Sequence, residues 1–183
     1  MAKTFLEAHL ELTQELKRYG VNMDRKTHVV LKNPHLHVVL YQPEIPANTG
    51  NIARLCGAAQ MKLHLIHPLG FSVDDKHLKR AGLDYWPEID VQHHADFDAF
   101  LNNMNENGRL LCFSRHAHML YTQTKAKHGD YLLFGRETLG LPSHVRKTHS
   151  CYRVPIWGKV RSLNLSTTVG IVSYHYLHGL GLF

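Results

Sequence analysis

Three stretches of this 183-residue chain carry polar residues in patterns that a hydrophobic core does not require. The first, Pro46 to Arg54 (PANTGNIAR), lies between a predicted strand and a predicted helix. Asn48 and Thr49 are suited to cap that helix, and Gly50 permits close approach of the backbone. Arg54 then falls about one turn into the helix, where its cation can meet a phosphate or a developing oxyanion. A simple helix cap followed by a surface arginine is the alternative.

The second and third stretches lie in the C-terminal half of the chain. Leu133 to Pro142 (LFGRETLGLP) combines the end of a predicted strand with a glycine, a carboxylate and a second glycine. Such a loop exposes backbone groups that can hold an adenine or a ribose, although an ordinary strand-to-helix turn fits as well. Val154 to Gly170 (VPIWGKVRSLNLSTTVG) enters a predicted helix through more cap-forming residues than one helix end needs, with Lys159 and Arg161 beside them.

Apolar patterns predict the elements that position these stretches. Leu36–Tyr41 and Asp130–Gly135 are typical of buried parallel strands. Further strands are predicted over Lys62–His67, Ile89–His93, Arg109–Ser114 and Cys151–Pro155, and helices over Thr4–Tyr19, Asn51–Met61, Asp74–Ala81, Asp96–Met104 and Asn164–His178. The alternation predicts an α/β domain over residues 35–183, with a parallel sheet flanked by helices. Residues 1–34 are expected to form a separate N-terminal helix and linker.

The positive charge is concentrated near the C-terminus. The whole chain has 21 Lys and Arg against 15 Asp and Glu, a formal charge of +6. From Ser143 onward there are five basic residues and no acidic residue. This asymmetry predicts an anionic partner for the C-terminal part. By itself it does not decide whether that partner is a nucleic acid, a nucleotide or an acidic lipid.

Several function classes lack their sequence signatures. No apolar run approaches the ~18 residues of a membrane span, and no membrane association is predicted. Neither the GxGxxG dinucleotide fingerprint nor the GxxxxGK[ST] phosphate loop occurs, which disfavours an NAD-type enzyme. The three cysteines form no CxxC pair, and acidic residues near the N-terminus argue against a targeting peptide, so a cytoplasmic location is expected. The 16 histidines are expected mainly at the surface, with no metal site.

Taken in order, the three stretches resemble the SPOUT class of trefoil-knotted RNA methyltransferases. Within that class they are most similar to the small tRNA (cytidine/uridine-2'-O-)-methyltransferases that modify the wobble nucleotide. The resemblance covers about Leu36 to Leu177 and includes the connecting segments HPLGFSVDDKHLKRAGLDYW and GDYLLFGRETLGLP. It implies a C-terminal trefoil knot that forms an S-adenosylmethionine site, a tRNA substrate and a homodimer.

The resemblance also implies roles for individual residues. Arg54 would be the catalytic arginine, acting with Asn48, Ser162 and Asn164. Because a guanidinium stays protonated, we expect Arg54 to stabilise the developing alkoxide while Ser162, Asn164 or water takes the proton. A deprotonated arginine acting as the base is the alternative.

Binding roles follow in the same way. Cofactor contacts are expected from Phe113, Gly135, Glu137, Val154, Ile156, Ser162 and Leu163, with Glu137 as the acid that could face the sulfonium. RNA phosphates are expected to meet Lys159, Arg161, Arg146, Lys147, Lys79 and Arg80. The remaining alternatives are 2'-O-methylation of another tRNA position or of rRNA, and a non-catalytic RNA-binding knot protein.

Overall fold

The computed structural model describes residues 33–72 and 89–183, and these form an α/β domain built on a parallel sheet. Seven strands lie in the described ranges, in the order β3-β2-β1-β6-β4-β7-β5, and every neighbouring pair is parallel. The strands are β1 (Leu36–Tyr41), β2 (Lys62–Ile66), β3 (Val91–His94), β4 (Leu110–Phe113), β5 (Met119–Leu120), β6 (Asp130–Phe134) and β7 (Cys151–Arg153). The helices are α1 (Pro46–Ala58), α2 (Phe97–Asn102), α3 (Ser143–Thr148) and α4 (Leu165–Gly179), with a 3-10 turn at Tyr121–Gln123.

Helices cover both faces of the sheet because its central strands are buried on both sides. Every residue of β1 and of β6 is buried. One face of β1 presents Val38 to a core that contains Ile52 of α1 and Val172 of α4. The other presents Val39 to a second core with residues of α2 and α3. This packing confirms the predicted α/β class, and no helix in the described ranges is long and apolar enough to cross a membrane.

Most predicted elements are found within one or two residues of their expected bounds, but α1 begins earlier than predicted. It starts at Pro46, with Ile45 in extended conformation at the N-cap, instead of at Asn51. Proline suits the first helical position because its fixed φ is already helical and its missing N–H would have no helical partner. Asn48 and Thr49 therefore lie inside the first turn and do not cap it, so the predicted capping role is wrong.

Some predictions lie outside the described residues, and some elements were not predicted. The N-terminal helix over Thr4–Tyr19, the helix over Asp74–Ala81, and Lys79 and Arg80 fall in the ranges 1–32 and 73–88. Strand β5 and helix α3, which are two and six residues long, were not predicted. Elements this short present too few residues for a periodic pattern.

Three buried histidines connect neighbouring strands and are exceptions to the expectation that the histidines lie mainly at the surface. His37 of β1 is hydrogen-bonded through Nδ1 to Nε2 of His64 of β2 at 2.9 Å. His64 is bonded through Nδ1 to Nε2 of His94 of β3, also at 2.9 Å. All three residues are at most 5% exposed. Burial lowers the pKa of His37 to about 4 and that of His64 to about 2, so these two imidazoles are neutral at physiological pH.

The buried histidines predict a loss of stability on acidification. The unfolded chain takes up protons near pH 6.5, whereas folded His37 and His64 resist protonation until about pH 4 and 2. The free energy of unfolding should therefore be fully retained above pH 6.5. Below it, the loss should approach about 1.4 kcal/mol per pH unit for each such histidine.

Urea unfolding between pH 7 and pH 4 tests this expectation. His64→Gln should lose stability less steeply than the wild type as the pH falls, because one buried proton acceptor has been removed. His116→Gln, at an exposed position, is the matched control and should keep the wild-type slope. Equal slopes in the wild type and His64→Gln would contradict the assignment.

Candidate active site

A cavity of about 300 Å³ opens at the carboxyl edge of the sheet, where ligands bind in open parallel α/β folds. Its walls come from the ends of β4 and β6, the segment after β7, and the first turns of α1 and α4. Residues expected at the cofactor or catalytic site line it together: Asn48, Phe113, Gly135, Glu137, Val154, Ile156, Ser162, Leu163 and Asn164. The structure thus brings three stretches that are distant in the sequence into one site.

Part of the cavity wall was not foreseen. Ser114, Arg115 and His116 line it from the loop that follows β4. Arg115 donates a hydrogen bond from Nε to Nε2 of His116 at 3.2 Å. The signal that could have found these residues is position, since they come directly after the carboxyl end of a parallel strand.

The loop after β6 is a tight turn that depends on two glycines. Arg136 donates its N–H to the Gly140 carbonyl at 3.2 Å, and Gly140 donates its N–H to the Arg136 carbonyl at 2.9 Å. Gly140 has φ of 67°, in the region that favours glycine. A Cβ on Gly135 would overlap the backbone of Gly140 and Leu141, so this position also needs glycine. The turn places both its backbone and Glu137 at the cavity.

Glu137 ties this turn to the start of α1. Its carboxylate accepts hydrogen bonds from the N–H of Glu44 at 2.8 Å and from the N–H of Ile45 at 3.2 Å. It also accepts one from Nδ2 of Asn48 at 3.0 Å. In return, the Glu44 carboxylate accepts from the N–H of Thr138 at 3.0 Å and from its hydroxyl. Both oxygens of Glu137 are therefore occupied by donors from this chain.

Asn48 extends the connection to α4. Because the Glu137 carboxylate can only accept, Asn48 presents its amide nitrogen to it and its oxygen to Asn164. Asn164 donates from Nδ2 to that oxygen at 2.9 Å. The Asn164 oxygen in turn caps α4, accepting from the N–H of Ser166 at 2.8 Å and of Thr167 at 3.3 Å. Glu137, Asn48 and Asn164 thus form one hydrogen-bonded chain, here called the three-loop chain.

Arg54 lies apart from the residues that line the cavity. It is six positions beyond Asn48 on α1, which in an α-helix is about 9 Å along the axis and about 120° around it. Its side chain is exposed and makes no hydrogen bond or ion pair with the described part of the chain. The structure therefore groups Asn48, Ser162 and Asn164 together and leaves Arg54 on the helix surface.

The basic residues predicted to bind RNA occupy different environments. Lys159 and Arg161 are exposed in the segment between β7 and α4, whose ends line the cavity. Lys147 is exposed on α3. Arg146 is half-buried and donates from Nε to the carbonyl of Leu141 at 3.1 Å, so part of its guanidinium holds the fold.

Replacing Glu137 tests the importance of the three-loop chain. Glu137→Gln keeps the shape of the side chain but replaces one carboxylate oxygen with an NH2 group. That group cannot accept the hydrogen bonds that the loop donates to Glu137. We expect the free energy of unfolding to fall by about 1.5–3 kcal/mol, the range for hydrogen bonds to a charged group. Chemical denaturation measures this, with Glu106→Gln at an exposed position as the control, expected within about 0.5 kcal/mol of wild type. Equal losses in the two variants would refute the role given to Glu137.

The chain is similar to known proteins over most of its length. The model of the SpoU rRNA methylase family matches residues 35–174. A tRNA (cytidine(34)-2'-O)-methyltransferase from Yersinia pestis is 42% identical over 153 residues, covering 80% of this chain and 94% of that protein. A solved structure described as giving insights into 2'-OH methylation of C/U34 on tRNA is 46% identical, with a TM-score of 0.78, covering 80% of this chain and 96% of its own.

A more distant structure shares the fold. It is the AdoMet-bound rRNA methyltransferase of Sinorhizobium meliloti, 22% identical with a TM-score of 0.72, and the match covers 83% of this chain and 59% of that one. The family match, the sequence identity over most of the chain and the shared fold all indicate the same family. This chain belongs to the SpoU methylase family.

Proposed function

We propose that this protein transfers a methyl group from S-adenosylmethionine to the ribose 2'-OH of a wobble cytidine or uridine in tRNA. The observation that carries the proposal is the single cavity that unites the expected cofactor residues at the carboxyl edge of the sheet. Relatives over most of the chain length, named for methylation of tRNA nucleotide 34, support the substrate.

The cavity residues fit S-adenosylmethionine. Phe113, Ile156 and Leu163 offer apolar surface for an adenine ring, and the turn between Gly135 and Gly140 brings backbone polar groups to the same wall. The cofactor would supply an electrophilic methyl group on its sulfonium. Because Glu137 already accepts three hydrogen bonds, we assign it to positioning the loops rather than to facing the sulfonium.

The chain's own residues would align the ribose and accept the proton that its 2'-hydroxyl group loses. Methyl transfer requires the 2'-oxygen to be held in line at near-attack distance, and positioning of this kind can supply about 7–11 kcal/mol. Arg54 lies outside the cavity wall, so its proposed role rests on the family resemblance rather than on its position: it would stabilise the developing alkoxide and hold the adjacent phosphate. Its guanidinium stays charged and has no partner in the described chain. The Asn164 side chain is already engaged, which favours Ser162 or water as the proton acceptor.

We also propose that the C-terminal segment passes through a loop to form the trefoil knot. Strand β7 lies between β4 and β5 in the sheet, and β5 belongs to the segment that connects β4 to β6 along the sequence. The chain after β7 therefore continues from a position that this connecting segment encloses. That segment packs on α4: the ring centroids of Tyr121 and His175 are 4.9 Å apart, and Ala126 lies beside Gly179. These contacts support a C-terminal helix held beneath the connecting segment.

We also propose that the protein is a homodimer and that it is located in the cytoplasm. Ile171 and Tyr174 on α4, together with Phe183, expose apolar surface that a second copy of the chain can cover. The cytoplasm is where the tRNA substrate would be available.

Mass spectrometry of RNA incubated with the protein and S-adenosylmethionine tests the proposed function. We expect one new ribose methyl group, at nucleotide 34 of tRNA. Arg54→Ala should abolish it while the affinity for S-adenosylhomocysteine, measured by calorimetry, stays nearly unchanged.

The other outcomes are also informative. A methyl group found in rRNA or elsewhere in tRNA would overturn the substrate assignment. Absence of S-adenosylhomocysteine binding at millimolar concentration would overturn the function altogether, and unchanged turnover in Arg54→Ala would remove that residue from the mechanism.

A further inference from the structure

The segment between β7 and α4 joins two parts of the cavity wall. Its two ends line the cavity, through Ile156 on one side and Ser162 and Leu163 on the other. Its middle, residues 157–161, is exposed throughout. We call residues 157–161 the rim loop.

Trp157 is the most unusual residue of the rim loop. It is 91% exposed, although an indole side chain is normally largely buried. No aromatic ring or cation of the described chain contacts it. An indole exposed to this degree adds nothing to the core, so both of its faces are available to a ligand.

The surroundings of Trp157 indicate the chemistry of that ligand. Lys159 and Arg161 lie two and four positions along the same loop, are exposed, and form no ion pair with any described residue. No acidic residue occurs from Ser143 to the end of the chain. An aromatic face next to unpaired cations suits a single-stranded nucleic acid, whose bases stack on the ring while its phosphates meet the charges.

We propose that Trp157 stacks on a base of the RNA segment that carries the methylated ribose. This inference rests on the proposed function, because it is the entry of a ribose into the cavity that brings the neighbouring bases to the rim. Bases in an RNA loop are unstacked and can lie flat on an aromatic side chain. Stacking there would hold the segment in register while the cations bind its backbone, so Trp157 acts in substrate binding and takes no part in the chemical step.

Intrinsic fluorescence provides a direct test. The chain has two tryptophans, and Trp86→Phe leaves Trp157 as the sole tryptophan, which is excited selectively at wavelengths where tyrosine does not absorb. Titration of this variant with an anticodon stem–loop RNA should quench the emission, because a stacked base contacts the indole. If Trp86→Phe does not fold, competition binding with the wild type and the Trp157 variants replaces this measurement.

Two substitutions separate stacking from simple apolar contact. Trp157→Phe keeps an aromatic face and should bind the stem–loop within about threefold of the parent. Trp157→Leu keeps only apolar surface and should bind about tenfold or more weakly, at the lower end of what loss of one stacked base costs. KM for the RNA should rise by a similar factor while kcat and the salt dependence of binding stay the same, since the phosphate contacts remain.

The contrary outcomes are distinct. Wild-type RNA affinity and KM in Trp157→Leu would overturn the stacking role and leave the methyltransferase assignment standing. A shift of Trp157→Leu to a smaller species in sedimentation equilibrium would show that Trp157 contacts a second copy of the chain, and would also overturn it. If the wild type methylates no RNA, the proposed function fails, and the fluorescence titration still decides whether Trp157 binds a base.

Discussion

The three-loop chain is the interaction on which the rest of the site depends. It runs from Glu137 through Asn48 to Asn164 and joins residues that are 89 and 116 positions apart in the sequence. Contacts between such distant residues form only when the sheet has brought the loops together. Glu137 and Asn164 also accept hydrogen bonds from backbone N–H groups at the starts of α1 and α4, and Asn48 joins the two side chains. Loss of one member is therefore expected to disturb all three loops.

The two edges of the sheet differ in the groups that they carry. At the amino edge, the half-buried Arg109 binds the buried Asp130 through Nε at 2.9 Å and through a terminal nitrogen at 2.6 Å. The hydrogen bonds to Asp130 raise the pKa of Arg109. The buried histidines cross three strands of the same sheet. The carboxyl edge instead carries glycine turns, exposed cations and a solvent-open cavity.

The sequence predicted the strands better than it predicted the contacts between them. Leu36–Tyr41 was correct because a nearly continuous apolar run is typical of a strand buried on both faces, and His37 is its one interruption. The start of α1 was misplaced because Ile45 provides no capping side chain that a pattern could reveal. The contact between His37 and His64 depends on strand register across 27 residues, which local sequence does not encode. The resemblance to a known family predicted nine of the residues that line the cavity, whereas Arg115 and His116 came only from the structure.

A double-mutant cycle on Asn48 and Asn164 tests most directly whether the three-loop chain builds the cavity. The measured quantity is the affinity for S-adenosylhomocysteine in the wild type, Asn48→Ala, Asn164→Ala and the double variant. If one hydrogen-bonded chain holds the site, the losses should be strongly non-additive, with a coupling energy of about 1 kcal/mol or more. Losses that add within about 0.3 kcal/mol would show that the two residues act independently, and would contradict the account.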